Sequence, residues 1–153
     1  MEFRSTHEIG AAAETVFDAM TNPDMVARCV PGCDTMEPLG NDRYQATMVL
    51  GIAAIKGRFR SVVALRDQNR PESFLLEVDG KGSAGFAKGE ARVEICATDA
   101  GCSVSVHAKA RVGGPVARVG QRLLAGTAKM IADKFFACMR DRIEAQLVER
   151  TAV

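Results

Sequence analysis

Residues 87–95 read Ala87-Lys88-Gly89-Glu90-Ala91-Arg92-Val93-Glu94-Ile95. Each second residue is small or apolar, and each residue between is charged. A period of two places alternate side chains on opposite faces of a strand, so this segment reads as a half-buried β-strand. The same alternation extends in both directions. Upstream, Phe74, Leu76 and Val78 oppose Glu77 and Asp79. Before them, Ile55, Gly57, Phe59, Ser61, Val63 and Leu65 oppose Lys56, Arg58, Arg60 and Arg66. Tyr44, Ala46, Met48 and Leu50 share one parity. Downstream, Cys102, Val104, Val106, Ala108, Ala110 and Val112 oppose His107, Lys109 and Arg111. Asn41-Asp42, Asn69-Arg70-Pro71 and Asp99-Ala100-Gly101 supply turns between the runs. The pattern is an antiparallel meander with one wet face and one dry face.

The flanks are different. Residues 2–9 alternate weakly, with Phe3 and Ile9 on one parity, and read as a first strand. Ala11 to Met20 reads as a short helix with Val16, Phe17 and Met20 on one face. A second helix follows: Asn22 is a good N-cap, Pro23 suits the first helical position, and Pro31-Gly32 stops it. Gly113-Gly114-Pro115 ends the sheet, and Pro115 is expected to open a helix over residues 115–148, about 50 Å long. Its apolar residues end in Ile131, Phe135, Met139, Ile143 and Leu147, spaced by four. That stripe precesses about 40° per step on a straight helix. Either the helix bends around the sheet or its last turns face something else. Phe136, off the stripe, favours the second option.

Composition removes several classes. The chain has 153 residues, 47% of them apolar and 25% charged, an ordinary balance for one globular domain over residues 1–150. Net charge is +1, against a strongly basic nucleic-acid binder. The longest charge-free apolar run, Ala46 to Ile55, is about half of what a bilayer span needs. Glu2, Arg4 and Glu8 interrupt any secretory pattern, so a cytoplasmic location is expected. The five cysteines, Cys29, Cys33, Cys96, Cys102 and Cys138, are an odd number and a poor disulfide framework. They read as buried or incidental thiols.

The dry-face residues of the middle strands are small. Gly57, Ser61, Ala87, Gly89 and Ala91 leave volume on a concave face, and strand glycines permit the bend that closes a sheet around a helix. One helix cannot fill that face, so an apolar cavity with few polar anchors is expected. The strands would line it with Tyr44, Met48, Gly57, Phe59, Ser61, Leu76, Gly89, Ala91 and Val93. The second helix would add Met25 and Cys29, and the long helix Leu123, Thr127, Met130 and Ile131. Its methionines offer adaptable lining. Gly89→Leu is expected to fill it.

The order of strand, two short helices, six-strand meander and long C-terminal helix is that of the helix-grip fold, and resembles the START/polyketide-cyclase-like (SRPBCC) superfamily. Particular segments resemble the CoxG-like family, named for the G subunit of carbon monoxide dehydrogenase. They are Asn22-Pro23-Asp24 leading to Cys29-Val30-Pro31-Gly32-Cys33, then residues 80–91, then Gly113-Gly114-Pro115 with Gly120-Gln121-Arg122-Leu123, and Phe135-Phe136. The resemblance implies an α+β helix-grip fold, with a curved antiparallel sheet of about seven strands around the last helix. It implies a non-catalytic accessory protein of an aerobic CO dehydrogenase-type molybdenum hydroxylase. Such a protein would hold an apolar or quinone-like lipid, menaquinone or another isoprenoid quinone, as cargo. It would assist membrane recruitment or electron-acceptor delivery, and would need no cofactor. Membrane-docking relatives often carry a hydrophobic tail after the long helix. The sequence ends at Val153, so a soluble carrier or a weak peripheral contact at the inner membrane face is expected instead of stable anchoring.

Other motifs weigh less. Gly80-Lys81-Gly82-Ser83-Ala84-Gly85 matches G-x-G-x-x-G, but a dinucleotide site needs a helix after it, and a strand follows here. Cys29-x-x-x-Cys33 lacks zinc spacing and a four-ligand set. His7 has dry-face parity and His107 wet-face parity, against shared ligation. No nucleophile–base pair or carboxylate pair falls on the dry face. A small-molecule enzyme of the cyclase or hydrolase kind has only Ser61, Tyr44, Thr127 and His7 to work with. From Lys109 to Lys129 there are five basic residues and no acidic one. Lys109, Arg111, Arg118, Arg122 and Lys129, with Phe136, are the candidate surface for a partner enzyme or anionic lipid, the basis of a pure docking alternative.

Overall fold

The computed structural model describes residues 1–52 and 55–151. The chain forms β1 (Glu2–Ile9), α1 (Ala13–Met20), α2 (Pro23–Cys29), β2 (Cys33–Gly40), β3 (Arg43–Ile52), β4 (Ile55–Asn69), β5 (Ser73–Gly82), β6 (Gly85–Thr98) and β7 (Gly101–Gly113). A 3-10 turn (Pro115–Val119) and α3 (Gln121–Thr151) complete it. The strands make one antiparallel sheet in the order β1-β7-β6-β5-β4-β3-β2. This is the expected α+β helix-grip arrangement. The register carries the parity of the sequence straight across the sheet. Leu65, Leu76, Ala91, Ala108 and Phe3 fall in one inner row, and Ala64, Glu77, Glu90, Lys109 and Glu2 in the next, outer one.

Local chemistry places the short helices. The Asn22 side chain accepts hydrogen bonds from the Asp24 and Met25 backbone N–H groups at 3.0 and 3.3 Å, and Pro23 occupies the first turn without losing a donor. Arg70, in the β4–β5 loop, grips Asp18 of α1 through both carboxylate oxygens at 2.7 and 2.8 Å.

Two expectations for the C-terminal helix are corrected. It begins at Gln121, not Pro115, because Gly114 (φ +79°) and Gly120 (φ +91°) bracket the 3-10 turn with left-handed backbone. Phe136 is not a surface residue: it is buried at 4% exposure, in line with Met139 and Ile143. Steps of three and four correct the drift that steps of four alone would produce, so Phe136–Met139–Ile143 is the buried face. Leu147 still packs against the core, and the last turns follow the body of the protein.

The glycine-rich stretch is a hairpin. Gly82 pairs with Gly85 and Ser83-Ala84 form the loop, so no helix follows and no dinucleotide site arises. The Ala84 carbonyl accepts the Val116 N–H at 2.7 Å. A Cβ on Gly114 would lie 2.8 Å from Gly85 Cα. The two glycine segments therefore touch backbone to backbone, which only residues lacking a Cβ permit.

Candidate functional site

The inner face of the sheet is solid at one end. Ile9, Val16, Phe17, Phe74, Val93, Ile95, Val104, Met139 and Ile143 form a buried cluster beneath α1 and the second half of α3. The other end is different. Tyr44, Met48, Phe59, Val63, Val78, Ala91, Ala108 and Ala110 of the sheet are only partly buried, as are Leu124, Met130 and Ile131 of α3. Ala87 is exposed although its parity is inner. α3 packs chiefly against β1, α1, α2 and the 3-10 turn. Its first half thus leaves the inner faces of the middle strands incompletely covered. The result is an apolar concave surface between β3–β7 and the start of α3.

Polar groups on this face are few and largely engaged. Ser61 and Thr127 are buried, and the Thr127 hydroxyl donates to the Leu123 carbonyl at 2.9 Å. His7 Nε2 lies 2.9 Å from Ser5 Oγ, and the imidazole stacks on Phe136 with centroids 3.9 Å apart. Burial holds the His7 pKa below its usual range; Asp133 opposes this, and Arg140 and Lys129 reinforce it. The ring is accordingly neutral near pH 7. Burial raises the Cys33 and Cys102 thiols, which makes them poor nucleophiles. Among the described residues no group of His, Cys, Asp or Glu is arranged to hold a metal ion.

Among the expected lining residues, Tyr44, Met48, Gly57, Phe59, Ala91, Met130 and Ile131 are each partly buried, and Leu76 packs against the core. Val93 is inside the solid cluster, and Met25 packs against it. Leu123 is 36% exposed. Gly89 is corrected: a Cβ there would lie 2.9 Å from both Ala110 Cα and Cβ, so the residue allows close strand approach and opens no space for a leucine. Cys29 is corrected too. It is bonded to Cys138, with Cα atoms 5.3 Å apart, tying α2 to α3. Across 109 residues, spacing gave no sign of this pair, and the odd cysteine count argued against it.

The basic strip is continuous in sequence but divided in space. Lys109 and Arg111 lie on the outer face of β7, Arg118 on the 3-10 turn, and Arg122 and Lys129 on α3 across the sheet. Lys129 is paired with Asp133 at 2.7 Å. A hollow of about 520 Å³ lies on the outer face, rimmed by Arg43, Arg66, Glu77, Glu90 and Arg111. Sequence reasoning missed Ser5 as the His7 partner, although its parity with His7 was available.

Residues 6–144 match the family of CoxG, the G subunit of carbon monoxide dehydrogenase. The chain belongs to the CoxG family. The solved structure of a conserved protein from Geobacillus kaustophilus is similar, with a TM-score of 0.92 and 30% identity over 95% of this chain and 96% of that one. A Chromobacterium violaceum protein (TM-score 0.73, 10% identity, 94% and 96% covered) shares the fold. So does Ara h 8.0201 (TM-score 0.72, 10% identity, 95% and 98% covered), which places the CoxG chain among Bet v1-like helix-grip structures. None of the curated proteins matches the sequence. CoxG membership implies association with CO dehydrogenase in an accessory rather than a catalytic role. Among the described residues, no helix is long and apolar enough to cross a membrane.

Proposed function

We propose that residues 1–150 act as one helix-grip unit that carries an apolar or quinone-like lipid for a CO dehydrogenase-type molybdenum hydroxylase. The cargo is menaquinone or another isoprenoid quinone, and the service is electron-acceptor delivery or membrane recruitment from the cytoplasmic side. One observation carries this reading: the inner apolar side chains at the open end, from Met48 and Phe59 to Met130 and Ile131, are neither packed shut nor replaced by polar ones. Apolar surface left in contact with water gains about 25 cal/mol per Å² when a ligand covers it. A prenyl chain supplies such cover with no hydrogen-bond requirement. The few polar groups, Tyr44 and Ser61, suffice to orient a ring carbonyl.

Equilibrium dialysis with a short-chain menaquinone analogue tests the reading. Saturable binding is expected, weakened at least tenfold by Ala91→Phe, whose side chain would occupy the concave surface. Absence of saturable binding, or an Ala91→Phe protein that binds like wild type, would overturn it.

A small-molecule enzyme is the second reading, favoured by the His7–Ser5 contact at 2.9 Å. The stacking of His7 on Phe136 weighs against a mobile catalytic base. Ser5→Ala is expected to leave quinone-analogue binding unchanged. An ester or lactone hydrolysis activity lost in Ser5→Ala and His7→Gln would favour the enzyme instead.

A further inference from the structure

We infer that the outer sheet face at the end holding the β3–β4 and β5–β6 hairpins docks on an anionic phospholipid bilayer. Elsewhere on the outer face, several charges are paired. Arg66 reaches Glu77 at 3.0 Å, Arg92 reaches Glu94 at 3.0 Å, and Glu2 takes both His107 and Arg4. At the hairpin end they are not. Lys56, Arg58, Arg60, Lys81 and Arg111 make no ion pair among the described residues, and Lys88 meets Asp79 only at 4.0 Å.

The register sharpens the point. Arg60 stands directly opposite Lys81, and Lys88 directly opposite Arg111. Like charges facing across strands destabilise a sheet. Glu77 and Glu90 also face each other, but Arg66 and the opposing Lys109 compensate them. Asp79, two residues before Lys81 on the same face, turns to Lys88, and neither Arg60 nor Lys81 forms an ion pair among the described residues.

Apolar side chains sit among these cations. Phe86 follows Lys81 in the same row and Val49 faces Arg58; each is 47% exposed. Cations interleaved with an exposed aromatic and an aliphatic residue fit the interfacial region of a bilayer, where headgroup phosphates take the charge and the acyl boundary takes the rings. An acidic protein partner would satisfy the cations but has less need of Phe86. This inference rests on the membrane part of the proposed function and is independent of its cargo.

Vesicle flotation tests it with the whole chain. The protein is expected to float with phosphatidylcholine vesicles containing phosphatidylglycerol, not with pure phosphatidylcholine, and to be released by high salt. Arg58→Glu/Arg60→Glu should weaken the binding by an order of magnitude or more, at roughly fivefold per charge. Arg60→Gln/Lys81→Gln, which relieves a repulsion and so keeps the fold, should also weaken it. Arg142→Glu, on the second half of α3, should leave it unchanged. The chain has no tryptophan, so Phe86→Trp should report insertion by a blue-shifted emission on anionic vesicles alone. No flotation of wild type, equal flotation of the charge variants, or loss of CO dehydrogenase capture by those variants with vesicle binding intact would each overturn the inference. Quinone-analogue binding by the same variants, measured in dialysis, stays intact if only the membrane surface is at fault.

Discussion

The imidazole of His7 lies flat on the ring of Phe136, 3.9 Å away, and joins the first strand to the middle of the last helix. The contact half-buries a titratable ring near Asp133, Arg140 and Lys129. Burial is the largest influence on that ring, and it disfavours the charged form.

His7 makes stability depend on pH. Its folded pKa lies below the unfolded one, so between the two values the unfolded state binds more protons. Stability is full above about pH 6.5, the unfolded value, and is lost as pH falls through the folded value. Thermal unfolding followed from pH 7.5 to pH 5 is expected to show a falling Tm, flattened over that window in His7→Phe. An equal slope in both proteins would remove His7 as the cause.

The Cys29–Cys138 bond closes a loop of more than a hundred residues in the unfolded chain. Chain-entropy reasoning puts its contribution near ~4–5 kcal/mol. Urea unfolding with and without reductant, and of Cys29→Ser/Cys138→Ser, is expected to show a loss of that order. The double variant should be insensitive to reductant.

Gly114 sits at φ +79° with Gly85 Cα against the place a Cβ would occupy. Gly114→Ala combines backbone strain with a steric clash and should cost about 1–3 kcal/mol. Gly40, also at positive φ but with open space around it, isolates the backbone part. Gly40→Ala is expected to be the milder change in denaturant titrations.

Asn22 caps two orphan N–H groups of α2. Asn22→Ala should lower stability by ~1 kcal/mol. Asn22→Asp should retain most of it, because a carboxylate at a helix N-terminus is favourable.

The fold was legible because the alternation from Tyr44 to Val112 is nearly unbroken, and parity alone assigns both faces of five strands. Asn22-Pro23 announced its helix in the same local way. What escaped were relations between distant elements. The partner of Cys29 depends on where α2 crosses α3. The burial of Phe136 depends on a step of three that a fixed step of four obscures. Gly89 has inner parity like Ala91, yet its missing Cβ serves the approach of β7, and strand periodicity cannot tell close packing from empty space. The basic run from Lys109 to Lys129 misled for the opposite reason: neighbours in sequence were sent to opposite sides of the sheet. The unpaired cations Arg60 and Lys81 lie far apart in sequence and meet only through strand register.

Native mass spectrometry of the protein purified without detergent, followed by lipid extraction of the same sample, tests the carrier role most directly. A fraction of the protein carrying an added mass that matches an extracted isoprenoid quinone, and losing it in Ala91→Phe, is the expected result. A homogeneous unliganded mass that stays unliganded after incubation with menaquinone would contradict a lipid-carrying grip.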